Sequence, residues 1–413
     1  MWCILPALLF LSVLISSSLA EESVVVNDTS KLMKQGEYEK AIDQLQNSHS
    51  LFPYNKTIKQ DLAEAYYACA KRQLERKQFD EAAENFGNAL KLFPDNQEFA
   101  INQGMALYSG KRYDESAIIL QQARQVIGDQ VVILFYLGRI HYDTGDLSAA
   151  LELWDKALAI DPGNKPIRQM AEKARREALV ESPMGKEYKS IFVISYDEGS
   201  SSDLADDVMN VLESAYNQVG SDLYFYPTAH VPVLLYTKKE YRLVTKGPEW
   251  SGGLYDGKIR LPIGGAKKIS SILRAVLTHE YTHVVVGELT RKNCPVWLNE
   301  GLAEFEGRKE FDTPLLNLEA AAKSGTLLPF DTLEKSLLSM STKEASLAYQ
   351  QSYSMVKFMI SSYGLHKVRE VLVNLGTGMR VDEAIAKAFK DYGLDYNGIV
   401  KEWQVYIQKE YGK

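Results

Sequence analysis

Cysteine is scarce, with three in 413 residues, too few for a disulfide framework. Cys3 sits in an apolar N-terminal segment. Cys69 and Cys294 are so far apart that a bridge would need two domains to dock, so both are expected to be unpaired and buried. Clusters of basic residues are also missing. With 47 Lys and Arg against 54 Asp and Glu, the formal charge is −7, and no block of cations could follow a phosphate backbone, which argues against a nucleic-acid partner. Beyond the N-terminal segment no stretch is apolar for long enough to span a bilayer. Histidine is rare, six in all.

What is present is ordinary globular composition, 46% apolar and 24% charged, in a chain long enough for two or three domains. Trp2 to Ile15 is almost wholly apolar and is followed by Ser18 and Ala20, the small-x-small pattern a signal peptidase accepts. Residues 1–20 are therefore expected to be a cleaved secretory signal, which would take Cys3 with it and place the chain in a periplasmic or extracellular space. No Lys or Arg precedes the apolar run; left uncut, it would be a membrane anchor. Asn27-Asp28-Thr29 and Asn55-Lys56-Thr57 fit the glycosylation acceptor pattern, which matters only in a eukaryotic secretory pathway.

Residues 24 to 181 repeat themselves. Gly104 and Gly138 are 34 apart, as are Tyr113 and Leu147. Gly36-Glu37-Tyr38-Glu39-Lys40-Ala41 recurs as Lys77-Gln78-Phe79-Asp80-Glu81-Ala82, 41 later, and the seven extra residues predict a helix lengthened by two turns around Tyr66 to Glu75. Leu137-Gly138…Tyr142…Gly145…Ala149-Ala150…Ala157-Leu158…Asp161-Pro162 resembles a tetratricopeptide repeat, a 34-residue helix–turn–helix unit. Gly138 and Ala150 fall where helices approach closely, and Pro94 and Pro162 where second helices end. The resemblance implies a helical solenoid over residues 21–181, closed by a capping helix over Lys165 to Leu179. Its concave face would hold a peptide or partner protein. Ser182-Pro183-Met184-Gly185 breaks the helical pattern and marks the boundary of a second domain, 182–413.

The second half begins with strand patterns at Ser190 to Tyr196 and Val231 to Tyr236, separated by helical spacing over Leu204 to Val219. Asp256-Gly257 is a two-residue hairpin signal between Gly253-Leu254-Tyr255 and Lys258 to Leu261. From Ile269 the chain is mostly helical, giving an α+β arrangement. Residues 279–283 read His-Glu-Tyr-Thr-His. Residues four apart share a helix face, so His279 and His283 extend the apolar stripe of Ile269, Ile272, Leu273, Val276 and Leu277 and point into one space. Two neutral imidazoles are good zinc ligands, and Glu280 can take a proton from a bound water. Sixteen residues separate His283 from Glu300 in Trp297-Leu298-Asn299-Glu300-Gly301-Leu302-Ala303-Glu304. Glu300 would complete a His₂Glu set for one Zn²⁺ with a position left for water. Gly301 and Ala303 would let its helix pack tightly on the first. Glu304, one turn on, is either a carboxylate that orients a ligand imidazole or a solvated surface group.

His279-Glu280-x-x-His283 with Asn299-Glu300-Gly301 resembles the gluzincins, and most closely the peptidase-MA-like domains that accompany tetratricopeptide repeats in exported proteins. The resemblance implies a small mixed sheet plus helices over about residues 188 to 413, in a chain that is mostly α overall. It implies an edge strand above the metal at Gly252, Gly253, Leu254 and Tyr255 that pairs with the substrate backbone. Tyr255 stands where family aminopeptidases carry a glutamate, which points away from that activity. It also implies a tyrosine offered to the oxyanion, with Tyr349 the better match and Tyr353 one turn on; either also fits simple core packing. His230 and His366 match nothing in the pattern and are expected to be structural. The expected activity is internal hydrolysis of a peptide or protein by an exported zinc metallopeptidase. An inactive scaffold that keeps the repeats as its binding module, or a non-peptidase zinc hydrolase, uses the same residues.

Overall fold

The 34-residue period becomes a run of short helices: α1 (Tyr38–Leu51), α2 (Lys56–Glu75), α3 (Phe79–Leu92), α4 (Gln97–Ser109), α5 (Tyr113–Ile127), α6 (Val131–Asp143) and α7 (Leu147–Ile160). The computed structural model describes residues 28–196, 202–246, 252–263, 266, 268–334, 337 and 340–412. The expected signal segment 1–20, with Cys3, and the acceptor Asn27 lie outside them. No helix among the described residues is long and apolar enough to cross a membrane.

Helix α2 has 20 residues where α4 and α6 have 13, so the seven extra residues of the longer repeat step lengthen one helix. Asn55 and Asn96 cap α2 and α4 by accepting hydrogen bonds from first-turn backbone amides. The repeat glycines are steric requirements. A methyl group on Gly104 would meet Leu120 Cγ at 2.6 Å, and one on Gly138 would meet Trp154 Nε1 at 2.4 Å.

The chain divides into two compact units. One takes the described residues up to His141 together with Glu152–Ile167; the other takes Tyr142–Leu151 and everything from Arg168 onward. The boundary expected from the helical break at Ser182 falls after residue 181. Helix α8 (Lys165–Glu181) nevertheless sends Glu177 and Glu181 to strand residues of the second unit.

That unit is built on a five-stranded mixed sheet of order β1-β2-β3-β5-β4, with β1 (Gly185–Lys189), β2 (Phe192–Tyr196), β3 (Val231–Leu235), β4 (Leu254–Tyr255) and β5 (Ile259–Leu261). β2, β3 and β5 run parallel, and the outer strands β1 and β4 are antiparallel to their neighbours. Strand β1 lies at the expected domain break. It escapes the sequence pattern because Gly-Lys-Glu-Tyr-Lys has no apolar alternation, being a charged edge strand with Lys186 and Tyr188 exposed. The β4–β5 turn differs from the two-residue expectation. Tyr255 pairs with Ile259, leaving Asp256, Gly257 and Lys258 as a three-residue loop with Gly257 at φ +107°.

Alternation along the strands gives each sheet face its own cover. Phe192, Ile194, Val233, Leu235, Ile259 and Leu261 join the main core with α9 (Ser202–Leu223) and a long helix, α11 (Ser271–Leu289). On the opposite face Leu234 and Tyr236 pack with Val180, Met184 and two residues of α10 (Lys238–Thr245), Tyr241 and Val244. The remaining helices are α12 (Val296–Gly307), α13 (Leu316–Ser324), α14 (Phe330–Leu333), α15 (Thr342–Tyr363), α16 (Leu365–Gly376), α17 (Val381–Ala388) and α18 (Tyr396–Tyr411).

Candidate metal centre

Ser270 caps α11 by accepting from Leu273 N, and the helix then divides its apolar residues between two faces. Leu277, Tyr281, Val284 and Val285 are buried in the core. Ile272, expected in the same buried stripe, is 58% exposed and lines an open cleft with Val276, His279 and Glu280. Of the stripe that leads to the two histidines, Ile272 and Val276 thus line the cleft while Leu277 stays in the core.

His279 Nε2 and His283 Nε2 stand 3.1 Å apart, and Glu300 Oε2 lies 3.5 Å from the first and 3.4 Å from the second. In a tetrahedral site the ligand–ligand edge is about 1.63 times the bond, so zinc bonds of about 2.0–2.1 Å give edges of about 3.3–3.4 Å. The three atoms fit that triangle. Glu300 Oε2 is buried and accepts no hydrogen bond, an arrangement a cation would satisfy. Among the described residues these three form the group with metal-ligating geometry.

Electrostatics bind the trio together. Burial opposes charge on both imidazoles, yet Glu300 and Glu304 hold His279 well above the ordinary histidine value, and Glu300 raises His283. Burial likewise opposes ionisation of Glu300, but His283 and His279 bring it far below the usual carboxylate range. Glu280 differs. Burial lifts its carboxyl above the ordinary value, and the two imidazoles only partly offset that.

The second helix is seated differently from the expectation. A methyl group on Gly301 would meet Ser352 O at 2.4 Å, so this glycine packs on α15 and not on α11. The close approach to α11 is made by Gly307, where a methyl group would meet Ala275 O at 2.8 Å and His279 Cβ at 3.5 Å. Glu304 Oε1 lies 3.5 Å from His279 Nδ1, and its Oε2 accepts from Arg308 Nε at 3.1 Å. Arg308 is a residue the sequence reading missed, although its i,i+4 spacing from Glu304 could have shown it. Glu304 thus stands between the Arg308 guanidinium and the His279 imidazole. Glu304→Ala is accordingly expected to weaken metal affinity by roughly 10–100-fold, measured by competition with a chromophoric chelator; unchanged affinity would mean the carboxylate orients nothing.

The ring of Tyr349 lies 6.1 Å from that of His279, and burial with Glu300 and Glu280 nearby keeps the phenol protonated, hence a donor. Tyr353 instead supports the Arg308 guanidinium, 4.4 Å from its ring centroid. Gly253 is pressed against Glu280, since a methyl group there would meet Glu280 Oε1 at 2.6 Å. Gly252, Leu254 and Tyr255 line the same space, with β4 the outermost strand. Cys69 and Cys294 are free thiols; Cys69 is buried as expected, while Cys294 is half-buried because it lines the cavity beside Glu300. His230 and His366 are exposed. Two cavities of about 400 and 510 Å³ meet at His279, Glu280 and Tyr349.

Residues 225–409 match the Peptidase MA superfamily, and residues 67–130 and 131–164 match tetratricopeptide repeats. The Hsp70-Hsp90 organizing protein of Triticum aestivum is 30% identical over 100 residues, which are 24% of this chain and 17% of that protein. A thermophilic TPR protein of Thermus thermophilus aligns with 36% of this chain and 77% of its own at 20% identity, with a TM-score of 0.25. The chain therefore carries tetratricopeptide repeats over residues 67–164 and a Peptidase MA superfamily domain over residues 225–409.

Proposed function

We propose that the second unit is a zinc-dependent endopeptidase, with His279, His283 and Glu300 holding the metal. The observation that carries the reading is the triangle of 3.1, 3.4 and 3.5 Å between their ligand atoms, set beside a buried carboxylate that is not part of it. Bound there, zinc would polarise a scissile carbonyl and acidify a water.

The chain's own residues supply the rest. Glu280 is a buried base whose raised pKa suits taking a proton from water and returning it to the departing nitrogen. Tyr349, kept protonated, donates to the oxygen that gains charge in the transition state. Glu304 fixes the His279 tautomer through Nδ1. The outermost strand β4 lines the substrate backbone's path, and the absent side chain of Gly253 lets that backbone come close to Glu280. Space continues from His279 and Glu280 in two directions, toward Ile272 and Phe311 on one side and toward Thr290 and Lys292 on the other. A site open on both sides accepts the middle of a chain, which supports internal cleavage.

The repeats support a protein or peptide partner, as does their likeness to a protein named for organizing two chaperones. Export is proposed on the Trp2–Ile15 apolar run with Ser18 and Ala20 behind it. The test is metal analysis of the purified chain coupled to peptide-library digestion. Internal cleavage that a chelator abolishes and added zinc restores is expected. A zinc-loaded chain that cuts no peptide, or that releases terminal residues only, would overturn the assignment.

A further inference from the structure

Behind the β4–β5 hairpin, on the sheet face away from the main core, lies a buried set of charges that the chemistry above does not use. Arg260 on β5 and Lys258, in the loop just before that strand, both reach carboxylates of α8. Arg260 is fully buried. Its Nη2 donates to Glu177 Oε1 at 2.9 Å, its Nη1 to Glu181 Oε1 at 2.8 Å and to the Tyr236 hydroxyl at 2.6 Å, and its Nε to Asp256 Oδ1 at 3.1 Å. Lys258 Nζ lies 3.3 Å from both Glu177 Oε2 and Glu181 Oε2, and Lys173 Nζ donates to Asp256 Oδ2 at 2.6 Å. The Tyr142 hydroxyl donates to Glu177 Oε1 at 2.6 Å. Three cations face three carboxylates, so the network is internally neutral and nearly every polar atom has a defined partner.

Glu177 and Glu181 each pair with both Lys258 and Arg260, joining α8 to the hairpin. The hairpin in turn runs along α11: a methyl group on Gly252 would meet Val276, one on Gly253 would meet Glu280, and one on Gly287 would meet Tyr255. A two-residue strand such as β4 has too little ladder of its own to fix its height above a helix. Arg260 is paired directly with Leu254 across the hairpin. Its planar fork, gripping two carboxylates of one helix, sets where β4 lies.

We propose that Arg260, held by Glu177 and Glu181, is a positioning residue that fixes the substrate-lining strand β4 over Glu280. Only the kinetic half of this inference rests on the peptidase reading; the placement of the hairpin does not. The test uses the full chain with Arg260→Lys, which keeps the charge and loses the fork, and Asp256→Asn, which leaves Arg260 in place but weakens its hold on the turn. Trp403→Phe, in the core contributed by α18, serves as a control for stability alone.

Amide hydrogen exchange over residues 252–261 is expected to quicken about tenfold in Arg260→Lys, and less in Asp256→Asn. Zinc content should not change. On a cleaved peptide KM is expected to rise about tenfold while kcat moves less than about threefold. Trp403→Phe should lower Tm without either effect. If exchange over 252–261 stays at the wild-type rate in Arg260→Lys, or the control reproduces the same pattern, the inference is overturned. If no peptide is cut by the wild type, the peptidase reading fails, and the exchange measurement still decides the positioning role.

Discussion

Glu280→Gln is expected to retain wild-type zinc and to cut peptides about 10²–10⁴-fold more slowly, the range lost with a general base. The substitution is nearly isosteric, so the contact with Gly253 survives, and Glu280 is not one of the three converging ligand atoms. What disappears is the ability to take a proton. Burial makes this carboxyl a stronger base than an exposed one, with His279 and His283 limiting the rise. Activity in the wild type should therefore increase with pH as Glu280 loses its proton, at a pH above the ordinary carboxylate value. Metal analysis and initial rates on one peptide separate the outcomes. A variant that keeps both zinc and full turnover would remove Glu280 from the mechanism, whereas loss of zinc along with activity would show a structural effect.

Much of this centre was legible because helix geometry is local. His279 and His283 share a face by the i,i+4 rule, and Glu304 follows Glu300 by one turn, whatever the surrounding fold. The seven-residue insertion in the repeats was legible for the same reason. What local pattern could not decide was which neighbour each face meets. Gly301 and Gly307 are both small residues on α12, and only the packed structure shows the first against α15 and the second against α11. Ile272 reads as core because apolar residues line clefts as well as cores. The Arg260 network was out of reach, since Glu177 and Arg260 are 83 residues apart and each alone reads as an ordinary surface charge. Strand β1 was missed because an edge strand carries charge where an inner strand carries apolar residues.

Glu300→Ala is expected to abolish stoichiometric zinc binding, a loss well beyond the roughly 10–100-fold that follows removal of an outer partner such as Glu304. Two imidazoles 3.1 Å apart then remain without the carboxylate that offsets their charge. The variant also carries a signature independent of activity, readable in the metal-free chains. Folding depresses the Glu300 pKa below 4.5, so its contribution to stability is present above that value and is lost as pH falls toward the folded value. Folding raises the pKa values of His279 and His283 above 6.5, so their contribution is complete below 6.5 and is lost as pH rises through the folded values. The Tm advantage of metal-free wild type over metal-free Glu300→Ala should thus be greatest between pH 4.5 and 6.5 and shrink on either side. Zinc competes with the protons that the raised imidazoles hold near neutrality, so wild-type binding at pH 7 should release protons, detected by calorimetry in buffers of different ionisation enthalpy. Zinc bound at one equivalent by Glu300→Ala, or a flat Tm difference from pH 4 to 8, would show that the carboxylate is not coupled to the two histidines.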